Sequence, residues 1–319
     1  MSLTIGEIRE AREKIRTHIL CTPVLRMNSL DRFLGCRVYV KAECMQTTGS
    51  FKLRGVMNKV LSLSAEELER GLVAASSGNH GMALAYAGWK LGVRVTVVLP
   101  DTAARVKAER IRAWGAETVC CEVSKRFEVA ESLCRERGAT LVPPYNDEAV
   151  MAGQGTMGLE IVRQCPELDA LVVPVSGGGL LGGVAAAVRG LLPRVRIFGA
   201  EPAALPRYME SLRAGKPVTV EGRRTVADAL VSQRPGDLCF PWVASQTDGV
   251  LDVGEEDILR GMKLLLMEGK LLCEPSSAIG IGAALAGLVP AGPGDRVCFV
   301  ISGGNVALEQ LRMLEKAGS

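Results

Sequence analysis

Residues 170–188 read ALVVPVSGGGLLGGVAAAV. The first six residues are apolar without a break, as in a strand covered on both faces. Ser176 and three glycines follow, and then a run of small and apolar residues at helical length. Strand, glycine loop and helix in that order put successive backbone N–H groups at a helix N-terminus, where they can cradle an anion. The same letters also fit G-x-G-x-x-G through Gly177, Gly179 and Gly182. Glu201 ends the next apolar run about twenty residues on, where a ribose-binding acid belongs in a dinucleotide site. At this point an NAD(P)-dependent oxidoreductase and a phosphate-binding enzyme of another kind both stand.

The pattern repeats on either side. Downstream, VRIFGAEP (195–202) and RVCFVISGGN (296–305) read as strands. Upstream, LVAAS (72–76), RVTVVLP (94–100), ETVCCE (117–122) and ATLVPP (139–144) do the same, separated by three helical runs. Strands alternating with helices predict an α/β chain with parallel sheets. We expect two parallel-sheet domains: a small substrate-binding one over residues 64–148, and a larger cofactor-binding one over 1–63 and 149–319. Residues 213–230 are the loosest stretch of the larger part. Ligands in such sheets bind at the carboxyl ends of the strands, and the glycines and hydroxyls of this chain gather there.

Composition excludes several classes. The 319 residues are 48% hydrophobic with a net charge of +3, which describes a globular chain. No Lys/Arg cluster is interleaved with aromatics, so nucleic acid is not an expected partner. No apolar run reaches membrane-span length, so no membrane partner is expected. The N-terminus is a charged amphipathic helix with Thr4 and Glu7 in a capping box, unlike a secretory signal. Ten cysteines contain no C-x-x-C pair, and we read them as reduced, mostly buried thiols of a cytoplasmic protein. With only His18 and His80, neither a histidine metal site nor a Ser-His-Asp triad has material.

Three more loops carry chemistry. In TTGSFKLRG (47–55), Ser50 reads as an N-cap, and Lys52 falls in the first turn of the helix that follows. The helix dipole disfavours the ammonium there, and an uncharged lysine is a nucleophile toward an aldehyde. In SSGNHG (76–81), Ser76, Ser77, Asn79 and His80 gather more polarity than a helix cap by Ser77 or Asn79 requires, and the loop can hold a carboxylate. CEPSSAIG (273–280) sets Glu274 before Pro275 and a Ser-capped helix, and ISGGN (301–305) ends the last strand with Ser302. The dinucleotide reading gives Lys52 and SSGNHG no role. A lysine nucleophile, a phosphate cradle and a carboxylate cradle are together what pyridoxal 5'-phosphate needs.

The pieces TGSFKLRG, SSGNHG, AGQGT (152–156), SGGGLLGG, EPSSA and ISGGN stand in one order along nearly the whole chain. In this the chain resembles the fold-type II pyridoxal-phosphate enzymes, in the serine/threonine dehydratase and serine racemase branch. The resemblance implies the tryptophan synthase β-like fold, with the cofactor in the cleft between the two domains. It implies that Lys52 is the Schiff-base lysine and that Phe51 packs on the cofactor ring. Asn79 would bond the ring hydroxyl, with Glu274 beside the cofactor. Gly177, Gly178, Gly179 and Leu180 would hold the phosphate by their backbone, and Ser302 would face the ring nitrogen. A neutral serine there suits β-elimination better than transamination. Ser77 matches the serine that faces the lysine across the cofactor in racemases, and Ser76, Ser77, Asn79, His80 and Ser232 fall where substrate contacts are expected. The implied activity is a lyase reaction, the conversion of L-threonine, L-serine or a related β-hydroxy amino acid to a 2-oxo acid and ammonia. An amino acid racemase or a 3-hydroxyaspartate dehydratase is the alternative.

Departures from the family pattern carry their own expectations. Related racemases hold a divalent cation near the AEP motif. Here Glu201 is present, but the aspartate position is Arg207, which cannot ligate a cation, so no metal is expected. The family's T-x-A-D-G reads TVADA (225–229), adding the Ala229 methyl beside the cofactor edge. The usual HPF or HPN reads PPYN (143–146). A substrate-contacting arginine of some racemases aligns near Glu128, and Lys125 and Arg126 close by read as surface charge. The length leaves no room for the C-terminal regulatory domain of biosynthetic threonine dehydratases, and a homodimer is the family expectation.

Overall fold

The computed structural model describes residues 3–103 and 105–315. Ten strands fall into two sheets. They are β1 (Val24–Arg26), β2 (Arg37–Ala42), β3 (Leu72–Ala75), β4 (Val95–Pro100), β5 (Glu117–Cys121), β6 (Thr140–Leu141), β7 (Ala170–Pro174), β8 (Arg196–Pro202), β9 (Gly249–Val253) and β10 (Arg296–Ile301). One sheet runs β1-β2-β10-β7-β8-β9 and is parallel except for the β1–β2 pair. The other runs β5-β4-β3-β6 and is all parallel.

The continuous apolar runs are buried as expected for central strands: every residue of β7 is buried, and so are Val297–Ile301 of β10. β5, at the edge of the smaller sheet, is half-exposed instead. Register aligns the carboxyl ends. Ile301 pairs with Ala42, and Phe299 with Val172. The segments that leave β2, β10 and β7, carrying Lys52, Ser302 and the glycine loop, therefore emerge at one edge of the larger sheet. β3 of the smaller sheet ends at Ala75 and delivers Ser76.

Three strands were not legible in the sequence: β1, β2 and β9. β2 carries Arg37 and Lys41, and β9 carries Asp252, in otherwise apolar runs. Lys41 is fully buried and belongs to a four-residue network. Its Nζ lies 2.6 Å from Glu160, and Arg54 bonds both Glu43 and Glu160 at 2.8–2.9 Å. Two cations and two anions balance, and they tie the Lys52–Val60 helix to β2 and to the Glu148–Gln164 helix. The cysteines are free, as read, but half of them rather than most are fully buried. The capping box of Thr4 and Glu7 forms.

Candidate active site

Lys52 is the first residue of its helix, as the sequence suggests. Ser50 is not the cap. Phe51 occupies that position without a side-chain bond, and Ser50 forms a β-bridge with Gly303 instead. That bridge, with the Phe51 N–H donating to the Ser302 carbonyl at 3.0 Å, stitches the lysine's turn to the end of β10. Lys52 Nζ donates to the Pro144 carbonyl at 2.8 Å and lies 5.1 Å from the Phe51 ring centre. Burial pushes the amine down to about 8, against the pull of Cys239 and Glu274 in the other direction. Removal from water, more than the helix end, is what favours the uncharged form.

The glycine loop follows β7. Gly178 caps the Gly179–Leu191 helix at φ 102°, a conformation that favours glycine. A Cβ on Gly177 would lie 2.3 Å from the Tyr145 ring, and one on Gly178 would lie 1.8 Å from the Tyr208 hydroxyl. Among the described residues no acceptor takes the N–H groups of Gly177 to Leu180. The result is a set of unpaired donors at a helix N-terminus, on a backbone packed so closely against Tyr145 and Tyr208 that only glycine fits.

The SSGNHG loop opens the Asn79–Leu91 helix from the other sheet. Gly78 is the cap, rather than Ser77 or Asn79. The Asn79 amide is used across the cleft: its Nδ2 donates to Glu274 Oε1 at 2.8 Å, and its Oδ1 accepts from Asn305 Nδ2 at 2.8 Å. Ser76 Oγ accepts from the Gly78 N–H at 3.3 Å. The half-buried Ser77 hydroxyl has no partner among the described residues. His80 is buried, and burial together with the Lys52 charge lowers it to about 3. The imidazole is therefore neutral, with Nε2 donating to the Val142 carbonyl at 2.8 Å and Nδ1 unpaired. Its side chain offers a carboxylate no proton, so what His80 presents to an anion is its first-turn backbone N–H.

Glu274 caps the Pro275–Leu285 helix through its backbone only, where a serine cap was expected. Burial raises its carboxyl to about 7, with the charge of Asp228 adding to the shift. Ser302 Oγ lies 2.9 Å from Ser277 Oγ, which also accepts the Gly303 N–H at 2.7 Å. Ser232 Oγ donates to the Arg234 carbonyl at 2.8 Å and lies 2.9 Å from the Tyr145 hydroxyl. Its N–H donates to Ser176 Oγ. With the serine proton engaged on Arg234, the proton between Tyr145 and Ser232 is the tyrosine's.

These bonds join the turn of Lys52 to Ser302, Asn79 to Glu274, and Ser232 to Tyr145, which packs on Gly177. Sequence reasoning missed Tyr145, the Pro144 carbonyl, Ser277 and Asn305. The PPYN departure was the one signal for the first two. Lys125 pairs with Glu122, and Arg126 stacks over Phe127, as surface charge does. Arg207 is fully buried, with its Nε 3.8 Å from Glu201.

The residues fit pyridoxal phosphate. The unpaired N–H groups and absent side chains of the glycine loop suit a phosphate. The partly neutral lysine suits an aldehyde, and the neutral Ser277–Ser302 pair suits a ring nitrogen. Glu201, the acid expected for a ribose, instead accepts the Tyr208 and Met209 N–H groups at 2.9–3.0 Å within the core. The oxidoreductase alternative therefore loses its second element.

Comparison with known proteins agrees. A family model described as pyridoxal-phosphate dependent enzyme matches residues 15–303. The chain is 40% identical over 313 residues to a serine racemase of Arabidopsis thaliana, covering 96% of this chain and 94% of that one. It is 37% identical to an L-threonine ammonia-lyase of Thermotoga maritima, covering 98% and 79%. The solved structure of maize serine racemase superposes with a TM-score of 0.93 at 35% identity, covering 98% and 97%. With one family model spanning most of its length and a cleft built to suit that cofactor, the chain belongs to the pyridoxal-phosphate dependent enzymes.

Proposed function

We propose that the chain is an ammonia-lyase acting on L-threonine, L-serine or a related β-hydroxy amino acid, releasing a 2-oxo acid and ammonia. The observation that carries this reading is the placement of Lys52. Its amine is buried and bonded to the Pro144 carbonyl at 2.8 Å, and burial brings it to about 8. When bound, pyridoxal phosphate would supply a sink for the electron pair left at the substrate α-carbon. Gly177 to Leu180 would hold the phosphate by backbone N–H groups, and Asn79, Ser302 and Phe51 would contact the ring, with Glu274 beside it. Ser76 and the first-turn N–H groups of Asn79 and His80 hold the substrate carboxylate, and Ser232 marks the opposite wall. Lys52 Nζ, uncharged, would be the group to take the α-proton. Ser302 is a neutral partner and does not force a proton onto the ring nitrogen, which favours elimination over transamination.

A second reading, amino acid racemisation, is favoured by one feature. The unengaged Ser77 hydroxyl is free to move a proton on a second face. The reading includes a substrate-binding domain over 64–148, where all of β3 to β6 lie, and a homodimer in the cytoplasm. Ten free thiols support that compartment. It also includes no divalent cation beside Glu201, since Arg207 stands there.

The test is an absorption spectrum of the purified protein, followed by 2-oxo acid assays with L-threonine, L-serine and L-threo-3-hydroxyaspartate and chiral analysis of residual serine. Oxo acid from one of these names the substrate. D-serine without oxo acid replaces the lyase by the racemase. A colourless chain that takes up no cofactor refutes both.

A further inference from the structure

A run of three glycines is the most mobile backbone a chain can write, yet the cradle works only if its N–H groups stay aimed. Something must hold it from behind, and the first two residues of the Arg207–Ala214 helix are placed to do so. Tyr208 donates its hydroxyl to the Gly177 carbonyl at 3.2 Å, alongside the Gly236 N–H at 2.9 Å. Arg207 reaches further. Its Nη1 donates to the carbonyl of Val175, where the loop begins, at 3.1 Å, and its Nη2 to the carbonyl of Leu230 at 2.8 Å. One guanidinium thereby joins the loop to the segment that carries Ala229 and Ser232. Both side chains are wholly buried. Glu201 caps the same helix, accepting the N–H groups of Tyr208 and Met209, and so fixes where Arg207 and Tyr208 point.

The charge has a second effect. Glu201 is the anion beside Arg207, at 3.8 Å, and it shares its oxygens with two backbone donors. The guanidinium is therefore only loosely compensated, and it sits behind donors whose job is to meet an anion.

We propose that Arg207 and Tyr208 are positioning residues for the glycine loop, and that Arg207 also lends it positive potential, so that both residues select for the phosphate of the cofactor. The inference rests on the pyridoxal-phosphate reading, whose own failure would show as a wild-type chain that binds no cofactor.

The test compares equilibrium binding of pyridoxal phosphate and of pyridoxal, which lacks the phosphate, to the cofactor-stripped full chain. Spectral titration reads both. Arg207→Met should weaken pyridoxal phosphate by about tenfold or more and leave pyridoxal nearly unchanged. Arg207→Lys, which keeps the charge and loses the fork, should fall between. Tyr208→Phe should cost about threefold, again for the phosphate form alone. If Arg207→Met does not fold, the Lys and Phe variants make the same comparison. Equal losses for the two ligands would mean general destabilisation and overturn the proposal. Phosphate-form affinities within about twofold of wild type across the variants would do the same.

Discussion

Replacing Arg54 by methionine tests the network beneath the catalytic turn. Arg54 lies two residues after Lys52 and is fully buried. It makes four bonds to carboxylates, two to Glu43 and two to Glu160, all at 2.8–2.9 Å, and a fifth to Thr156 at 3.2 Å. In the variant, Lys41 still meets Glu160 at 2.6 Å, and Thr22 still donates to Glu43 at 2.5 Å. One buried negative charge is nonetheless left over. Stranding a buried charge in this way costs about 3–5 kcal/mol, a large share of the roughly 5–15 kcal/mol that holds a domain folded. Urea unfolding should show the midpoint fall at unchanged slope. Adding Glu43→Gln to Arg54→Met restores neutrality and should recover about half of the loss, because the penalty comes from imbalance more than from lost contacts. The pH dependence follows the same reasoning. Burial pushes the Glu160 carboxyl up, but Arg54 and Lys41 hold it below the usual range. In the wild type its contribution is present above the unfolded value and is lost as pH falls through the lowered folded one. Without Arg54 the loss should begin at higher pH. A single variant within about 1 kcal/mol of wild type would refute the reasoning, as would a double variant weaker than the single.

Other outcomes are expected. Gly178→Ala should abolish cofactor uptake, since it combines a strain of about 1–2 kcal/mol at φ 102° with a methyl 1.8 Å from the Tyr208 hydroxyl; a variant that titrates normally with pyridoxal phosphate would remove the loop from the site. With Lys52 near 8, about a quarter of the lysines are neutral at pH 7.5, against about one in a thousand for an ordinary lysine. Stopped-flow capture of cofactor by the stripped chain should accordingly speed up with pH, reach half its limit at about 8 and level off above about 9, and a rate still climbing at pH 10 would contradict the burial argument. Oxo acid release should be unchanged by a chelator; loss on chelation with recovery in magnesium would place a cation beside Glu201 despite Arg207.

Much of this was legible because the cleft is assembled from loops whose chemistry is local. Gly177 to Leu180 and SSGNHG lie between a strand and a helix, and their glycines and hydroxyls announce themselves within six residues. What stayed hidden depends on distant partners. Lys41 looks wrong in a strand until Glu160, far along the chain, neutralises it. Ser50 looks like a cap until Gly303 takes its backbone. Tyr145 looked like a departure from a motif, and it became a wall of the cleft only when β6 and the glycine loop were brought together. Of the residues that hold the loop from behind, Arg207 stood out only as a departure from the cation pattern after AEP, and Tyr208 belongs to no motif that sequence spacing can flag.

Asn79 rides on the helix that follows β3, yet both ends of its amide are committed to residues of the larger sheet, Glu274 and Asn305. Each end still has a place to spare: Nδ2 carries a second N–H and Oδ1 a second lone pair, so a ligand can bond this amide while the ties to Glu274 and Asn305 stay in place. Those two ties hold the plane of the amide before anything arrives, so the contact costs little ordering of the side chain. The bonds that join the two sheets therefore also aim the donor and acceptor that remain.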